Sequence, residues 1–514
     1  MNGAESLVRT LIASGVDTCF ANPGTSEMHF VSALDRIDGM RCVLGLFEGV
    51  VTGMADGYFR MTDKPACTLL HLGPGLGNGL ANLHNAKKAR SAIVNIVGEH
   101  ASHHQQYDAP LSADIEAIAA SMSHWVKTSP SSKDIAADGA LAIEAARAAP
   151  GQIATLILPA DTAWNEGSGP VVARATAPRA TVDDAAVRNA AHVLRQPGAA
   201  LMLGNIGVQD PALTWAGRIA AKTGCRLISE STSGRIERGA GRVVTERVPY
   251  SVDSAIKLLS GLKHVVLVGA KLPVAFFAYP NKPSLLAPPE CAFTTLATNA
   301  DDIAGALEAL ADRLDARTTS PARVAPYAPP SAPTGQPTLD GIAQVIAATL
   351  PENAIVVDEA VSSGRGFGTF TANAHAHDWL CVTGGSIGFG LPAATGAAIG
   401  APGRNVLCLE GDGSAMYTMQ SLWTMAREGL PVTTVIFANR SYRILHGELQ
   451  ALGAGTAGQR ANDMLTLDRP YLDWVAMAKG HGVEAGCATT LEELARELQR
   501  GYESSGPYVI ELLL

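Results

Sequence analysis

Residues 405–410 (NVLCLE) and 432–437 (VTTVIF) are short apolar runs with no helical period, the second rich in β-branched and aromatic residues. Runs of this kind are strands of a parallel sheet buried on both faces. Between them, residues 415–428 have helical character and stop at Gly429 and then Pro431. Strand, helix and parallel strand make a crossover unit, which fixes where the polar residues at its corners lie. Asp412, in Gly411-Asp412-Gly413-Ser414, and Asn439, in Asn439-Arg440-Ser441, each follow the carboxyl end of a strand, 27 residues apart. They are expected to emerge side by side, on the edge where open α/β sheets bind ligands.

A carboxylate, an amide oxygen and a nearby backbone carbonyl are hard oxygen ligands, suited to Mg²⁺ shared with the phosphates of a bound group. Gly411 and Gly413 let the backbone approach those phosphates, and Ser414 opens a helix whose positive end favours them. Gly-Asp-Gly alone is also an ordinary turn, and the spacing to Asn439 is what sets this one apart. No Gly-Lys-Ser/Thr is present, so a P-loop does not explain the pattern.

The same alternation fills the chain. A helix is expected over 3–14, strands over 16–21, 42–47, 66–71 and 92–97, helices over 48–61 and 80–89, and a glycine-rich loop over 73–79 (GPGLGNG). A second block, 185–315, has strands at 199–203, 226–229, 264–269 and 293–297. Residues 317–337 hold six prolines and read as an extended linker. The expectation is an α/β chain of three doubly wound parallel-sheet domains, 1–175, 185–316 and 338–514. A net charge of −9 argues against nucleic acid or an anionic membrane as partner. Eight scattered cysteines without a Cys-x-x-Cys, no membrane-length apolar run and no signal-like N-terminus predict a cytoplasmic protein with reduced thiols.

Gly-Asp-Gly, just under thirty residues and then Asn resembles the cofactor motif of the thiamine diphosphate (ThDP) enzymes, among them pyruvate decarboxylase, acetolactate synthase and benzoylformate decarboxylase. The resemblance covers most of the chain. It implies ThDP held by Gly411, Asp412, Gly413, Ser414, Ser362, Gly385, Tyr442 and Ile444, and Mg²⁺ held by Asp412, Asn439 and Ser441. One departure stands in the motif: the family usually has two asparagines, and the first is here Ala438.

Glu48, in FEGVVTGMADGYFR, directly follows an apolar strand and would suit the first turn of a helix. By resemblance it is the glutamate that hydrogen-bonds the cofactor's aminopyrimidine and favours the imino tautomer, which serves as an internal base. Ile387 occupies the family's apolar wedge, which bends the two cofactor rings together. Thr25 in NPGTSE and His71 in LLHLGPG follow strands on the same edge and match the serine and histidine of benzoylformate decarboxylase, whereas GPGLGN is closer to acetolactate synthases. KLPVAFFAYPN lacks a second histidine of the former, leaving Phe276, Phe277 and Tyr279 to line the pocket. His100, His103 and His104 lack metal-ligand spacing and read as a pocket rim.

The resemblance implies Mg²⁺- and ThDP-dependent, non-oxidative decarboxylation of a small 2-oxo acid, with possible carboligation. The active sites would lie at the subunit interface of a homodimer or homotetramer. An acetolactate synthase-type carboligase is the alternative within the family. Outside it stand a flavin- or nicotinamide-dependent oxidoreductase using the middle domain and a cofactor-binding scaffold without turnover. No G-x-G-x-x-G follows a middle-domain strand, so FAD is not favoured there.

Overall fold

The computed structural model describes all 514 residues. Three sheets form, each in a continuous part of the chain save for one strand. The first contains β1 (Thr18–Asn22), β2 (Arg41–Leu44), β3 (Ala66–Leu70), β4 (Ile93–Glu99), β5 (Trp125–Thr128) and β6 (Ile153–Pro159), all parallel, in the order β2-β1-β3-β4-β6-β5. β7 (Ala199–Leu203), β8 (Arg226–Ser229), β9 (Ile236–Arg238), β10 (Glu246–Arg247), β11 (His264–Val268) and β12 (Ala292–Ala297) follow, and all but β9 make a parallel sheet ordered β10-β8-β7-β11-β12. The third sheet takes β13 (Ile355–Glu359), β14 (His377–Cys381), β15 (Val406–Gly411), β16 (Val432–Ala438), β17 (Glu484–Ala488) and β18 (Tyr508–Leu513), in the order β17-β18-β16-β15-β13-β14-β9. β9 leaves the middle block to pair antiparallel with β14. Its three residues carry no periodic signal, so the sequence does not announce it.

Chain order reverses between β1 and β3 in the first sheet and between β13 and β15 in the third. These two switch points open clefts at the carboxyl ends of the strands, and the candidate residues gather there.

Two expectations are corrected. The segment Leu72–Ala89 is one helix that absorbs GPGLGN, so the predicted loop over 73–79 is not a loop. Two of its glycines serve close packing: a Cβ on Gly75 would lie 2.9 Å from Glu48 Oε1, and one on Gly79 would lie 2.9 Å from the Thr52 side chain. The helix predicted over 415–428 is broken into a turn, Asp412–Ala415, and a helix, Ser421–Glu428. Four residues make no helix dipole to speak of, so none draws a phosphate to Ser414.

The helix Glu48–Thr62 packs on the helix Gly390–Gly400 backbone to backbone. Cβ atoms on Gly57 and Gly396 would stand 2.0 Å from the Ala393 carbonyl oxygen and 1.9 Å from that of Met54. One continuous apolar cluster therefore runs from Phe20, Val50 and Met54 to Leu391, Cys408 and Ile436, joining the first and third sheets. Residues 317–337 form no regular element but are tied down, with Ala322, Ala325 and Ala328 donating to Gly217, Arg242 and Asn373 carbonyls. Six cysteines are buried, while Cys42 and Cys487 are exposed. No helix is long and apolar enough to cross a membrane.

Candidate active site

At the third sheet's switch point, Asp412 is 3% exposed. Its Oδ1 accepts the Gly413 N–H at 2.9 Å and its Oδ2 the Arg440 N–H at 2.6 Å. Burial pushes its carboxyl up to about 6, against the pull of those amides. Asn439 ends the neighbouring strand, with Oδ1 accepting the Ser441 N–H at 3.0 Å. The Ser441 hydroxyl and the Tyr442 N–H both donate to the Leu465 carbonyl, whereas the Ser441 carbonyl accepts no hydrogen bond. The Tyr442 ring covers Gly413, where a Cβ would come within 2.5 Å of it. One buried carboxylate, one amide oxygen and one free carbonyl, at a spot with no cluster of three His, Cys, Asp or Glu, form a hard-oxygen set that fits Mg²⁺ bound to a diphosphate. Ser414 is buried beside it, while Ser362 and Ile444 are partly exposed.

Facing the same switch point, Glu359 at the end of β13 is in register with Glu410 on β15, and both are buried. Glu359 accepts the N–H groups of Gly388 and Gly390 at 3.0 and 2.6 Å. Burial raises both carboxyls, Glu359 to about 7, and Glu410 is driven further by the Glu359 charge. Like charge on neighbouring buried carboxylates disfavours ionising both. The segment that Glu359 holds follows Gly385 and Ile387.

On the first sheet, Glu48 opens the helix Glu48–Thr62 and is 8% exposed. Its Oε2 accepts the Asn78 amide at 2.9 Å, and its Oε1 accepts no hydrogen bond. His71 caps the helix Leu72–Ala89, with Nδ1 3.0 Å from Glu27 Oε2. Glu27 itself is 1% exposed, and it also accepts the Gly24 N–H at 2.7 Å and the Ser26 hydroxyl. Sequence reading passed over Glu27, although a glutamate three residues after Gly24 that reaches back to its N–H is a capping pattern. Thr25 is exposed beside this pair. With Nδ1 engaged, the Nε2 of His71 makes no hydrogen bond within the chain, a histidine oriented by a buried carboxylate.

Three residues with left-handed backbones adjoin these positions: Leu72 (φ 47°) after His71, Val361 (φ 47°) before Ser362 and Arg440 (φ 55°) after Asn439. A β-branched residue at positive φ costs on the order of 1–3 kcal/mol, and such strain concentrates at binding sites. The middle block contributes Phe276, whose ring lies against Gly385, next to Phe277 and Tyr250 at centroid distances of 4.8 and 5.4 Å. Both phenylalanines are 52% exposed. Tyr279 and Tyr250 donate to Glu448 on the helix Arg443–Ala451, fastening the aromatic group to the third domain. His100 and His104 lie 5.6 Å apart between ring centroids, and with the exposed His103 they form no ligand set.

The chain matches the thiamine pyrophosphate enzyme N-terminal TPP binding domain over residues 1–123 and the C-terminal TPP binding domain over residues 366–512. It is 51% identical to a Mycobacterium tuberculosis protein with the provisional name acetolactate synthase large subunit IlvX, covering 100% of this chain and 99% of that one. Benzoylformate decarboxylase of Pseudomonas aeruginosa is 29% identical over 97% of this chain and 96% of its own. Among solved structures, the ThDP-dependent 4-hydroxybenzoylformate decarboxylase of Rhodococcus jostii RHA1 superposes with a TM-score of 0.88 at 25% identity, covering 99% of this chain and 98% of that one. The chain belongs to the thiamine diphosphate-dependent enzymes, the family that includes these decarboxylases and acetolactate synthases.

Proposed function

We propose that the protein decarboxylates a 2-oxo acid without oxidation, using ThDP and Mg²⁺, and releases mainly the aldehyde. The observation that carries this reading is the Glu27–His71 pair, a buried carboxylate holding an imidazole at the first sheet's switch point. Bound ThDP would supply a carbon nucleophile and an electron sink for the departing CO₂. Asp412, Asn439 and the Ser441 carbonyl would hold the metal, Glu48 would present its free Oε1 to the aminopyrimidine, and Ile387 would support the rings. His71 would deliver a proton from Nε2 to the carbon that lost CO₂, with Glu27 steadying the ring while the charge changes. The aromatic face of Tyr250, Phe276 and Phe277 suits an aromatic or branched side chain. Sites shared between the first domain of one subunit and the third of another, in a homodimer or homotetramer, complete the reading.

A second reading is acetolactate synthase-type carboligation, favoured by the 51% identity to the protein named as such a subunit. Which product forms depends on whether a proton or a second 2-oxo acid arrives first. The test supplies ThDP, Mg²⁺ and a panel of 2-oxo acids, measures CO₂ and identifies products. Aldehyde from aromatic or branched acids is expected, with His71→Ala slowing its release and raising the ligated fraction. Pyruvate turned chiefly into acetolactate by the wild type would overturn the decarboxylase reading.

A further inference from the structure

The helix Leu72–Ala89 carries two buried asparagines one turn apart, Asn82 and Asn85, 2% and 0% exposed. Asn82 Nδ2 donates to the carbonyls of Gly49 (2.8 Å) and Gly388 (3.0 Å), and its Oδ1 accepts Asn85 Nδ2 at 3.0 Å. Asn85 Nδ2 also donates to the Ser386 carbonyl (2.8 Å), and its Oδ1 accepts the Ser386 N–H (3.2 Å). Every donor and acceptor of the two amides is thus committed, as burial of such groups demands. Apart from the bond between them, only the Gly49 bond stays within the first domain. The rest seize Ser386 and Gly388, the two neighbours of Ile387. From the other side Glu359 takes the Gly388 N–H, and Thr418 Oγ1 donates to the Gly388 carbonyl at 3.1 Å.

We propose that Asn82 and Asn85 are positioning residues: from the first domain they set the loop that presents Ile387, and through Gly49 they lock that loop to the helix start that presents Glu48. A core asparagine pair serving stability alone would have no reason to spend its bonds on both flanks of one half-buried residue in another domain. The inference rests on the ThDP reading for what the loop does, and on hydrogen bonds alone for what holds it.

The first test is hydrogen–deuterium exchange of the protein without cofactor, read on peptides covering 383–390. Asn82→Asp keeps size and acceptor but sets a carboxylate oxygen against two carbonyl oxygens, and Asn85→Ser shortens the reach. Both should speed exchange of these amides at least about tenfold, because local opening sets the rate. Unchanged exchange in a folded variant overturns the proposal, and should Asn82→Asp fail to fold, Asn85→Ser decides it. The second test measures ThDP affinity and turnover on whichever 2-oxo acid the wild type uses. Turnover should fall on the order of ten- to a hundredfold, as a displaced reacting geometry predicts, with ThDP affinity within about threefold. Asn95→Ala, which breaks a Thr68–Asn95–Thr155 ladder inside the first sheet, should lower the melting temperature while leaving turnover intact. Equal losses of turnover in Asn95→Ala and the Asn82 variant would make Asn82 merely structural. If the wild type decarboxylates no 2-oxo acid, the functional reading fails, and the exchange experiment still decides what holds the loop.

Discussion

Replacing Gly396 by alanine should damage this protein in a way that replacing Gly77 should not. Both glycines lie inside helices, where alanine is intrinsically better by roughly 0.5–1 kcal/mol. At Gly77 a new Cβ meets nothing within 4 Å. At Gly396 it would lie 1.9 Å from the Met54 carbonyl oxygen, where about 3.3 Å is the closest comfortable carbon–oxygen approach. The helices Glu48–Thr62 and Gly390–Gly400 would have to part by roughly 1.4 Å, and overpacking of that kind costs about 1–3 kcal/mol. The clash is backbone against backbone, so no side-chain rotation relieves it; the top of that range, about 3 kcal/mol, less alanine's helical gain leaves a net loss of about 2 kcal/mol. At roughly 2–4 °C per kcal/mol, thermal unfolding followed by circular dichroism should show Gly396→Ala melting about 4–8 °C low and Gly77→Ala level with or slightly above wild type. A Gly396→Ala protein that melts with the wild type would refute the close packing of these helices. A Gly77→Ala protein that melts lower would refute the helix through GPGLGN.

Glu48→Gln should fold and bind ThDP yet lose turnover on the order of a hundredfold or more, since an amide cannot share the proton; near-normal activity removes Glu48 from the chemistry. Asp412→Ala should abolish the Mg²⁺ requirement for ThDP binding together with most of the affinity, and with it the rise in melting temperature that a native-state ligand gives; an affinity still raised by Mg²⁺ would contradict the ligand assignment. His377 donates from Nδ1 to the His375 carbonyl, its Nε2 is buried without a partner, and burial with the Arg238 charge lowers its pKa from 6.5 to about 4. The unfolded chain therefore binds this proton more readily, so stability is lost as pH falls from about 6.5 to 4, by up to about 3 kcal/mol. His377→Asn should flatten that loss in urea titrations at pH 7 and pH 4.5; parallel curves for both proteins would show that another group is responsible.

The strands that carry Asp412 and Asn439 were legible because their apolar runs have no helical period and end at punctuating glycine, proline and polar residues. GPGLGN misled because glycine signals both flexible loops and close-packed helices, and only the partner surface, here Glu48 and Thr52, tells them apart. Asp412 and His71 could be singled out because each directly follows a strand, and Glu48 because it opens a helix after an apolar run, although the strand itself stops at Leu44. Asn78, Asn82 and Asn85 could not, since their meaning lies in partners far away in the chain, and the local capping pattern of Glu27 says nothing of its bond to His71. Asn82 finds one such partner in Gly388, which no local pattern reveals.

β9 has a consequence for how the protein is made. During synthesis from the N-terminus, β9 leaves the ribosome while β14, its one partner, lies roughly 140 residues further along. At about 5–20 residues per second this leaves a strand edge waiting for some 7–30 s. Three residues, two of them charged (Glu237 and Arg238), present too short and too polar an edge to recruit a stray chain meanwhile. Glu237 pairs with Arg235 and Arg242 of its own segment, and once β14 arrives Arg238 settles over the Trp379 ring. The order of translation thus gives a reason why this edge is brief and charged, and why a third domain expressed alone would carry an uncapped β14 into solution.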